Sequence, residues 1–246
     1  MPTRNSPCFR ARFDETQADI LAAQALRHKC FRGGEGLDTD PFDDMCRHIL
    51  VEDVATEKLV ACFRLMRFRN GTSIDDSYSA QFYDLSALHA YASPMIEVGR
   101  FCVDPDACDN ADILRVAWGA LTRYVDQEQI GLMFGCSSFQ GTDEAQYLDT
   151  FAFLRDHHIA PERWLPRVKA PNVFRFTQRL RRTPDTKRAL QGLPPLLRTY
   201  LMMGGWVSGH AVVDHDLNTL HVFTGVEIAS IPAERARLLR AVVPPA

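Results

Sequence analysis

Met95-Ile-Glu97-Val-Gly-Arg100-Phe-Cys-Val103-Asp-Pro105 is the stretch that decides the fold. It reads as a buried strand stopped by Asp-Pro. An amphipathic helix follows over 111–126, with Leu114, Ala117, Trp118, Leu121 and Val125 at helical spacing. Strand, turn, helix is where α/β enzymes place their chemistry. The strand also carries Glu97 and Arg100, and charged residues are almost never fully buried without a partner. Taken alone, the two read as a structural ion pair on a sheet face. The residues around them argue for more.

Outward from that strand, helices and strands interleave. Residues 9–13 read as a strand and 15–31 as a helix with Ile20, Leu21, Ala25 and Leu26 on its apolar face. Gly33, Gly34 and Gly36 end it. Strands are predicted over 48–54 and 58–68, joined by a turn at 55–57, and Asn70-Gly71 marks another turn. Residues 79–89 read as a helix, 130–137 as a strand, and Thr142 opens a helix with Tyr147, Leu148, Phe151 and Leu154 facing inward. A strand over 173–178, a basic linker, a short helix over 193–200, a strand over 220–227 and a helix over 232–243 complete the chain. The early hairpin breaks a pure βαβ rhythm. That predicts a mixed sheet flanked by helices, an α/β (α+β) fold in one domain, rather than a doubly wound parallel sheet.

Composition narrows the function classes. The chain has 246 residues, 46% of them hydrophobic, and a net charge of −3. A sizeable core is available, and nothing global demands nucleic acid. Its seven cysteines are odd in number and form no C-x-x-C pair, which suits a reducing cytoplasm rather than a disulfide scaffold. Residues 1–12 hold no apolar run, so no secretory leader is expected. No stretch approaches the roughly 18 apolar residues that span a bilayer. Charge is unevenly placed. Glu35, Asp38, Asp40, Asp43, Asp44, Glu52, Asp53 and Glu57 cluster early, against Arg47 alone. Arg163, Arg167, Lys169, Arg175, Arg179, Arg181, Arg182, Lys187, Arg188 and Arg198 cluster late, against Asp185 alone. Each run reads first as a solvated face. Together they also suit a cationic small substrate at one end and an acidic macromolecule at the other.

Several residues are candidates for chemistry. Arg27 and Phe31 lie four apart, on one face of the first helix. Asp40, Asp43 and Asp44 precede the strand that begins at His48. Arg64 sits mid-strand among Ala61, Cys62, Phe63 and Leu65; buried, it needs a carboxylate, and Glu97, Asp43 and Asp44 are the candidates. His210, Asp214, His215, Asp216 and His221 match no standard metal-ligand spacing, and a turn between two strands explains Asp214-His-Asp216 more simply. Cys136-Ser137-Ser138 lacks a nucleophile elbow and reads as strand. His157-His158 reads as a helix end.

Arg27-x-x-x-Phe31, the acidic loop, Arg64 and Glu97-x-x-Arg100 resemble the acyl-homoserine-lactone synthases of the GCN5-related N-acyltransferase superfamily. The chain more closely resembles the ornithine–acyl-carrier-protein N-acyltransferases. The matching segments are Asp40-Pro-Phe-Asp43 with His48-Ile-Leu-Val51, Val60-Ala-Cys-Phe-Arg64-Leu, Glu97-Val-Gly-Arg100-Phe and Phe134-Gly-Cys-Ser-Ser-Phe-Gln-Gly141-Thr-Asp. Leu193-Pro-Pro-Leu-Leu-Arg-Thr-Tyr200 and Asp214-His-Asp-Leu-Asn-Thr219 match too, so the resemblance runs from residue 9 to about 228. Leu37 stands where lactone synthases carry a tryptophan, and the C-terminal extension is longer than theirs.

The resemblance implies a single acyltransferase domain, with a core over about 9–180 and a basic linker and extension over about 181–246. It implies transfer of a 3-hydroxy fatty acyl group from acyl carrier protein to the α-amino group of L-ornithine, with Glu97 and Arg100 catalytic. The implied substrate-binding set is Arg27, Phe31, Asp43, Asp44, His48, Arg64, Phe101 and Val103. Backbone N–H groups near Phe101 to Val103 would hold the oxyanion. Tyr147 is a candidate acid for the departing thiolate, against its plainer reading as a core tyrosine. Arg179, Arg181 and Arg182 would dock the acidic carrier. Coenzyme A is disfavoured by the residues themselves: the loop Asp104-Pro-Asp106-Ala-Cys-Asp109-Asn-Ala-Asp112 has no glycine and places carboxylates where a helix N-terminus would hold pyrophosphate. No cofactor or metal of its own is expected, since phosphopantetheine arrives on the carrier. The expected location is cytoplasmic, with peripheral contact on the inner membrane. Alternatives are the same reaction on another amino acid such as glutamine, a lactone-type synthase, and a carrier-protein binder that only hydrolyses the thioester or does no chemistry.

Overall fold

The computed structural model describes residues 8–241. The chain divides into two compact units. One holds the chain up to Met66, Val98–Gln129 and the stretch from Ala233; the other holds Arg67–Glu97 and Ile130–Pro232.

The first unit is built on β1 (Phe9–Phe13), β2 (Arg47–Asp53), β3 (Leu59–Phe68) and β5 (Met95–Val103), in that spatial order. The β1–β2 and β2–β3 pairs are antiparallel, and the second sets His48 opposite Arg64. Five consecutive residues of β2 are buried, so both of its faces are covered. Helix α1 (Gln17–Phe31) begins with a capping box: Asp19 N–H donates to the Thr16 hydroxyl while the Asp19 carboxylate accepts from Thr16 N–H. Its Ala23 and Leu26 pack on Leu50, Cys62 and Cys102 from three strands, with Phe31 at the rim. Gly33 (φ +76°) and Gly34 (φ +70°) follow in the left-handed region that favours glycine and lead the chain away. Helix α2 (Asn110–Gln127) packs on β1 and β2. It buries Ile113, Ala117, Leu121, Tyr124 and Val125, so its inner face includes Ile113 where the periodicity pointed to Leu114. Helix α7 (Ala233–Ala241) is tied to α2 by a bidentate Arg240–Asp126 pair at 2.8 Å.

The second unit orders its strands β5, β6 (Leu132–Gln140), β11 (Thr219–Glu227), β10 (Ala211–Asp214), β8 (Val173–Phe174). The β5–β6 pair is parallel, with Glu97 opposite Phe134; β6–β11, β11–β10 and β10–β8 are antiparallel. The sheet is therefore mixed, as expected. Short β9 (Trp206–Val207) also pairs with β11, and β4 (Tyr83–Asp84) pairs with β7 (Arg167–Val168). Helices α3 (Leu148–His157), α4 (Phe176–Arg179), α5 (Thr186–Gly192) and α6 (Pro195–Met202) surround a core that includes Phe139, Phe151, Leu154, Phe176, Leu197 and Val222.

Three expectations are corrected. Residues 79–89 form two 3-10 turns around β4 instead of a helix, because Tyr83 pairs with Val168 and the N–H groups of Tyr78 and Ser79 are drawn to Glu97. The strand over 173–178 stops at Phe174, and Phe176 turns inward as the start of α4. Within the basic linker, Asp185 caps an unanticipated helix, α5, by accepting from Arg188 N–H. Strand β11, predicted over 220–227, lies between β6 and β10. Residues 242–243 of the last predicted helix, and most of the N-terminal stretch read for a leader, lie outside the described residues.

Gly71 supplies a test of this packing. A Cβ there would meet the Leu88 carbonyl oxygen at 1.9 Å, and that neighbour is backbone. Gly71→Ala is expected to cost on the order of 1–3 kcal/mol, read as a lower thermal midpoint. An unchanged midpoint would contradict the turn geometry.

Candidate functional site

The early acidic loop is held chiefly by three arginines, with Arg32 also 3.6 Å from Asp38. Asp38 N–H donates to the Gln24 carbonyl at 3.0 Å, folding the loop back on α1. From α1, Arg27 donates through Nε to Asp38 Oδ2 (3.1 Å), through Nη1 to Asp43 Oδ1 (2.7 Å), and through Nη2 to Asp43 Oδ2 (2.8 Å) and the Asp38 carbonyl. From β3, Arg64 grips both oxygens of Asp40 at 2.6 and 2.8 Å and also reaches Asp43 Oδ1 at 2.7 Å. From β5, Arg100 donates to Asp38 Oδ2 at 3.0 Å and Asp40 Oδ2 at 3.1 Å. Arg100 adopts φ +53° within a strand, which costs backbone energy and redirects its side chain. Gln24 adds a bond to Asp43 at 2.9 Å. Burying so many charges is tolerable only because each is paired and hydrogen-bonded.

Exposure grades across the cluster. Arg27 side-chain exposure is 0%, Asp38 2%, Arg64 3% and Asp43 4%; Arg100 has 11% and Asp40 15%. Asp40 and Arg100 are thus the outer members. Burial works against ionisation of Asp43, but the bonds from Arg27, Gln24 and Arg64 outweigh it and hold the carboxyl below the usual carboxylate range. Asp40 is lowered in the same way, burial opposing and Arg64 and Arg100 prevailing. Arg64 is raised despite its burial, chiefly by Asp40.

Glu97 has its own setting in the second unit. It is 4% exposed. Its Oε2 accepts from Tyr78 N–H at 2.9 Å; its Oε1 accepts from Ser79 N–H at 2.7 Å and from the Ser79 hydroxyl at 2.5 Å. One turn thus supplies a donor to each oxygen and aims the carboxylate. Tyr78 and Ser79 were not anticipated. Ser79 opens the stretch read as helix and Tyr78 immediately precedes it.

The remaining expected residues fall in different places. His48 is buried, its Nε2 3.3 Å from the Asp43 carbonyl oxygen, and burial lowers its pKa. Asp44 is exposed and does not join the cluster, whereas Asp38 and Asp40 do. Phe101 stacks on Phe63 at 4.9 Å. Val103 offers its carbonyl to the Cys30 thiol at 3.4 Å. Tyr147 donates its hydroxyl to the Gln140 carbonyl at 2.8 Å, with its ring against Phe139 and Phe151. In the aspartate-rich loop, Lys29 bridges Asp104 (2.6 Å) and Asp106 (2.9 Å). Asp214 accepts from Asp216 and Leu217 N–H groups, the turn expected there. Arg179, Arg181 and Arg182 are exposed; Arg182 also pairs with Asp149 at 2.8 Å, and Arg181 donates to the Thr177 and Leu180 carbonyls.

Two outcomes follow from the cluster. Arg27→Ala leaves Asp38 and Asp43 buried and short of a partner, at a cost of about 3–5 kcal/mol and a thermal midpoint lower by about 10 °C. Arg27→Lys, without the planar fork, recovers little of it. Because the Asp40 and Asp43 pKa values lie below their unfolded values of about 3.9, their contribution is present above that pH and lost as pH falls through the lowered values. Midpoints measured from pH 6 down to pH 2 should therefore fall below about pH 4, and by less in Arg64→Ala.

Comparison with known proteins agrees with this architecture. A family model described as an acetyltransferase (GNAT) domain matches residues 25–118. The L-ornithine N(alpha)-acyltransferase of Rhodobacter capsulatus is 34% identical over 230 residues, covering 87% of this chain and 88% of that one. The protein of the same name from Brucella abortus is 29% identical over 241 residues, covering 91% and 85%. Among solved structures, FeeM, an N-acyl amino acid synthase from uncultured soil microbes, superposes with a TM-score of 0.53 at 11% identity, covering 91% of this chain and 93% of that one. BjaI, a CoA-dependent acyl-homoserine lactone synthase crystallised with MTA, gives 0.50 at 13%, covering 96% and 91%. These structures share the fold. By its sequence kinship over nearly the whole length, the chain belongs to the L-ornithine N(alpha)-acyltransferase family, with a GNAT domain.

Proposed function

We propose that the chain joins a 3-hydroxy fatty acyl group, delivered as a thioester on acyl carrier protein, to the α-amino group of L-ornithine, giving lyso-ornithine lipid. The observation that carries this reading is a carboxylate, Glu97, enclosed and aimed by three donors on one turn. An amine must lose a proton to attack a thioester, and a fixed carboxylate takes it directly or through a water. Arg100 stands three residues along the same strand, at the outer edge of a cluster of alternating charge.

That cluster suits a zwitterionic acceptor with a second amine. Its inner members spend their bonds on one another, so the outer pair is the better receptor: Arg100 for the carboxylate and Asp40 for the side-chain ammonium. This moves the acceptor contacts outward from Arg27, Arg64 and Asp43, which hold the receptor in place. The left-handed turn at Arg100 breaks the regular strand, and such breaks free nearby N–H groups for a ligand. It supports an oxyanion site near Phe101 to Val103.

The donor argument rests on charge. Asp104, Asp106, Asp109 and Asp112 surround the start of α2, and Asp109 at φ +62° makes no side-chain cap there. A nucleotide pyrophosphate would meet repulsion at that spot, so a carrier-borne phosphopantetheine is favoured and no cofactor of the chain's own is required. Exposed Arg179, Arg181, Lys187, Arg188 and Arg198 suit an acidic carrier. The product is an amphiphile, which suits a peripheral stay on the cytoplasmic face of the inner membrane. Among the described residues, no helix is long and apolar enough to cross a membrane.

With purified protein, Glu97→Gln is expected to lower kcat by about 10²–10⁴-fold without unfolding the chain. Full activity would remove Glu97 from the chemistry. Asp40→Asn should raise KM for ornithine by on the order of tenfold, more than KM for the acyl donor. Reversing Arg179, Arg181 and Arg182 to Glu should raise KM for the carrier-bound donor and leave KM for ornithine alone; no change would put the dock elsewhere.

A further inference from the structure

Ser79 touches more than Glu97. Its Oγ lies 2.5 Å from Glu97 Oε1 and 3.4 Å from Cys136 Sγ. A hydroxyl has one proton, and the shorter contact to a carboxylate claims it. The Cys136 thiol is then the donor in the second contact. The resting chain of donors therefore runs from Cys136 S–H to Ser79 O–H to the Glu97 carboxylate. Ser79 is 0% exposed and Glu97 4%. Cys136 is only partly buried. The thiol is thus the outermost member and the one that a substrate sulfur can approach.

Aminolysis of a thioester needs this kind of link. A C–N bond forms and a C–S bond breaks. One proton must leave the amine and one must reach the departing sulfur. Nitrogen and sulfur on the same tetrahedral carbon lie about 3 Å apart, and a hydrogen bond to each adds about 3 Å. Through Ser79, Glu97 Oε1 and Cys136 Sγ are at most about 6 Å apart, a span on which base and acid flank one carbon.

We propose that Glu97, Ser79 and Cys136 form a closed proton path in which Cys136 protonates the departing thiolate and Ser79 restores it from Glu97. Resting on Glu97 as the base, the balance is complete. Glu97 takes the amine proton, and Cys136 gives its thiol proton to the leaving sulfur. Ser79 then passes its proton to Cys136 and receives the one on Glu97. Every side chain ends as it began, and the products are amide and free thiol. Cysteine is matched to the task, because its proton affinity is close to that of the alkyl thiolate it serves. The path leaves the Tyr147 hydroxyl on the Gln140 carbonyl, where the structure has it.

The test compares two donors with the same acyl group. One is the carrier-bound alkyl thioester; the other is an aryl thioester of 4-nitrothiophenol, whose thiolate leaves without a proton. With the alkyl donor, Cys136→Ala and Ser79→Ala should each lower kcat by on the order of 10²-fold, with KM for ornithine little changed. With the aryl donor the deficit should shrink at least tenfold, while Glu97→Gln stays impaired with both. Ser79→Thr, which keeps the hydroxyl, should recover most of the alkyl rate. The ratio between donors on one preparation is independent of how much of a variant folds. Undiminished turnover of the alkyl donor by Cys136→Ala overturns the path. So does an equal loss with both donors. An acyl group found on Cys136 by intact-protein mass before acceptor is added also overturns it, since the thiol would then be a nucleophile. Undiminished activity of Glu97→Gln would instead overturn the base on which the path is built.

Discussion

Everything in the first unit turns on three arginines that neutralise three aspartates out of water. The aspartates sit in a loop without secondary structure of its own apart from one short turn, Asp43–Met45. The arginines come from α1, β3 and β5, so a single charge cluster fixes a loop against a helix and two strands. Such a cluster adds little net stability over a well-packed apolar core, yet losing any one member leaves a buried charge uncompensated. Its value is orientation. The forked guanidinium of Arg27 bonds Asp43 through both terminal nitrogens, and planar, bidentate recognition of that kind tolerates little displacement. The pair left outermost, Asp40 and Arg100, is thereby presented in a defined geometry.

Strand β5 carries both Glu97 and Arg100. The two charges are served by different devices. Arg100 is oriented by carboxylates and an unusual backbone angle, Glu97 by a serine and two backbone N–H groups. Those donors fix the direction of the Glu97 carboxylate. The charge cluster around Arg100 is locally polar at both signs, the property on which the proposed acceptor site rests.

Much of this was legible in the sequence. Hydrophobic periodicity located α1, α2, β2, β3, β5, β6 and β11 to within a few residues, because each has a long run with one dominant period. Arg64 and Arg100 were visible as charges in apolar strands, Arg27 by its helical spacing with Phe31, and Asp43 as a member of the acidic run. Asp38 and Asp40 were visible as members of an acidic run but not separable from Asp44, since a loop has no period to say which side chains turn inward. The stretch at 79–89 misled for a related reason. Its residues tolerate a helix locally, and what prevents one is a distant strand partner at Val168 and a carboxylate at Glu97. Ser79 was invisible because a serine declares no role until the fold shows what it faces. In the basic stretch, Asp185 followed by Thr-Lys-Arg-Ala-Leu was a readable N-cap signal that the density of positive charge obscured.

The account as a whole stands on one reaction. The most direct measurement incubates the protein with a long-chain 3-hydroxyacyl carrier protein and each common amino acid, with ornithine and lysine included, and identifies the products by mass and fragmentation. The account predicts an amide on the α-nitrogen of ornithine, formed faster than on any other acceptor. Free fatty acid without amide, or a faster amide on an acceptor lacking a second amine such as glutamine, would contradict it.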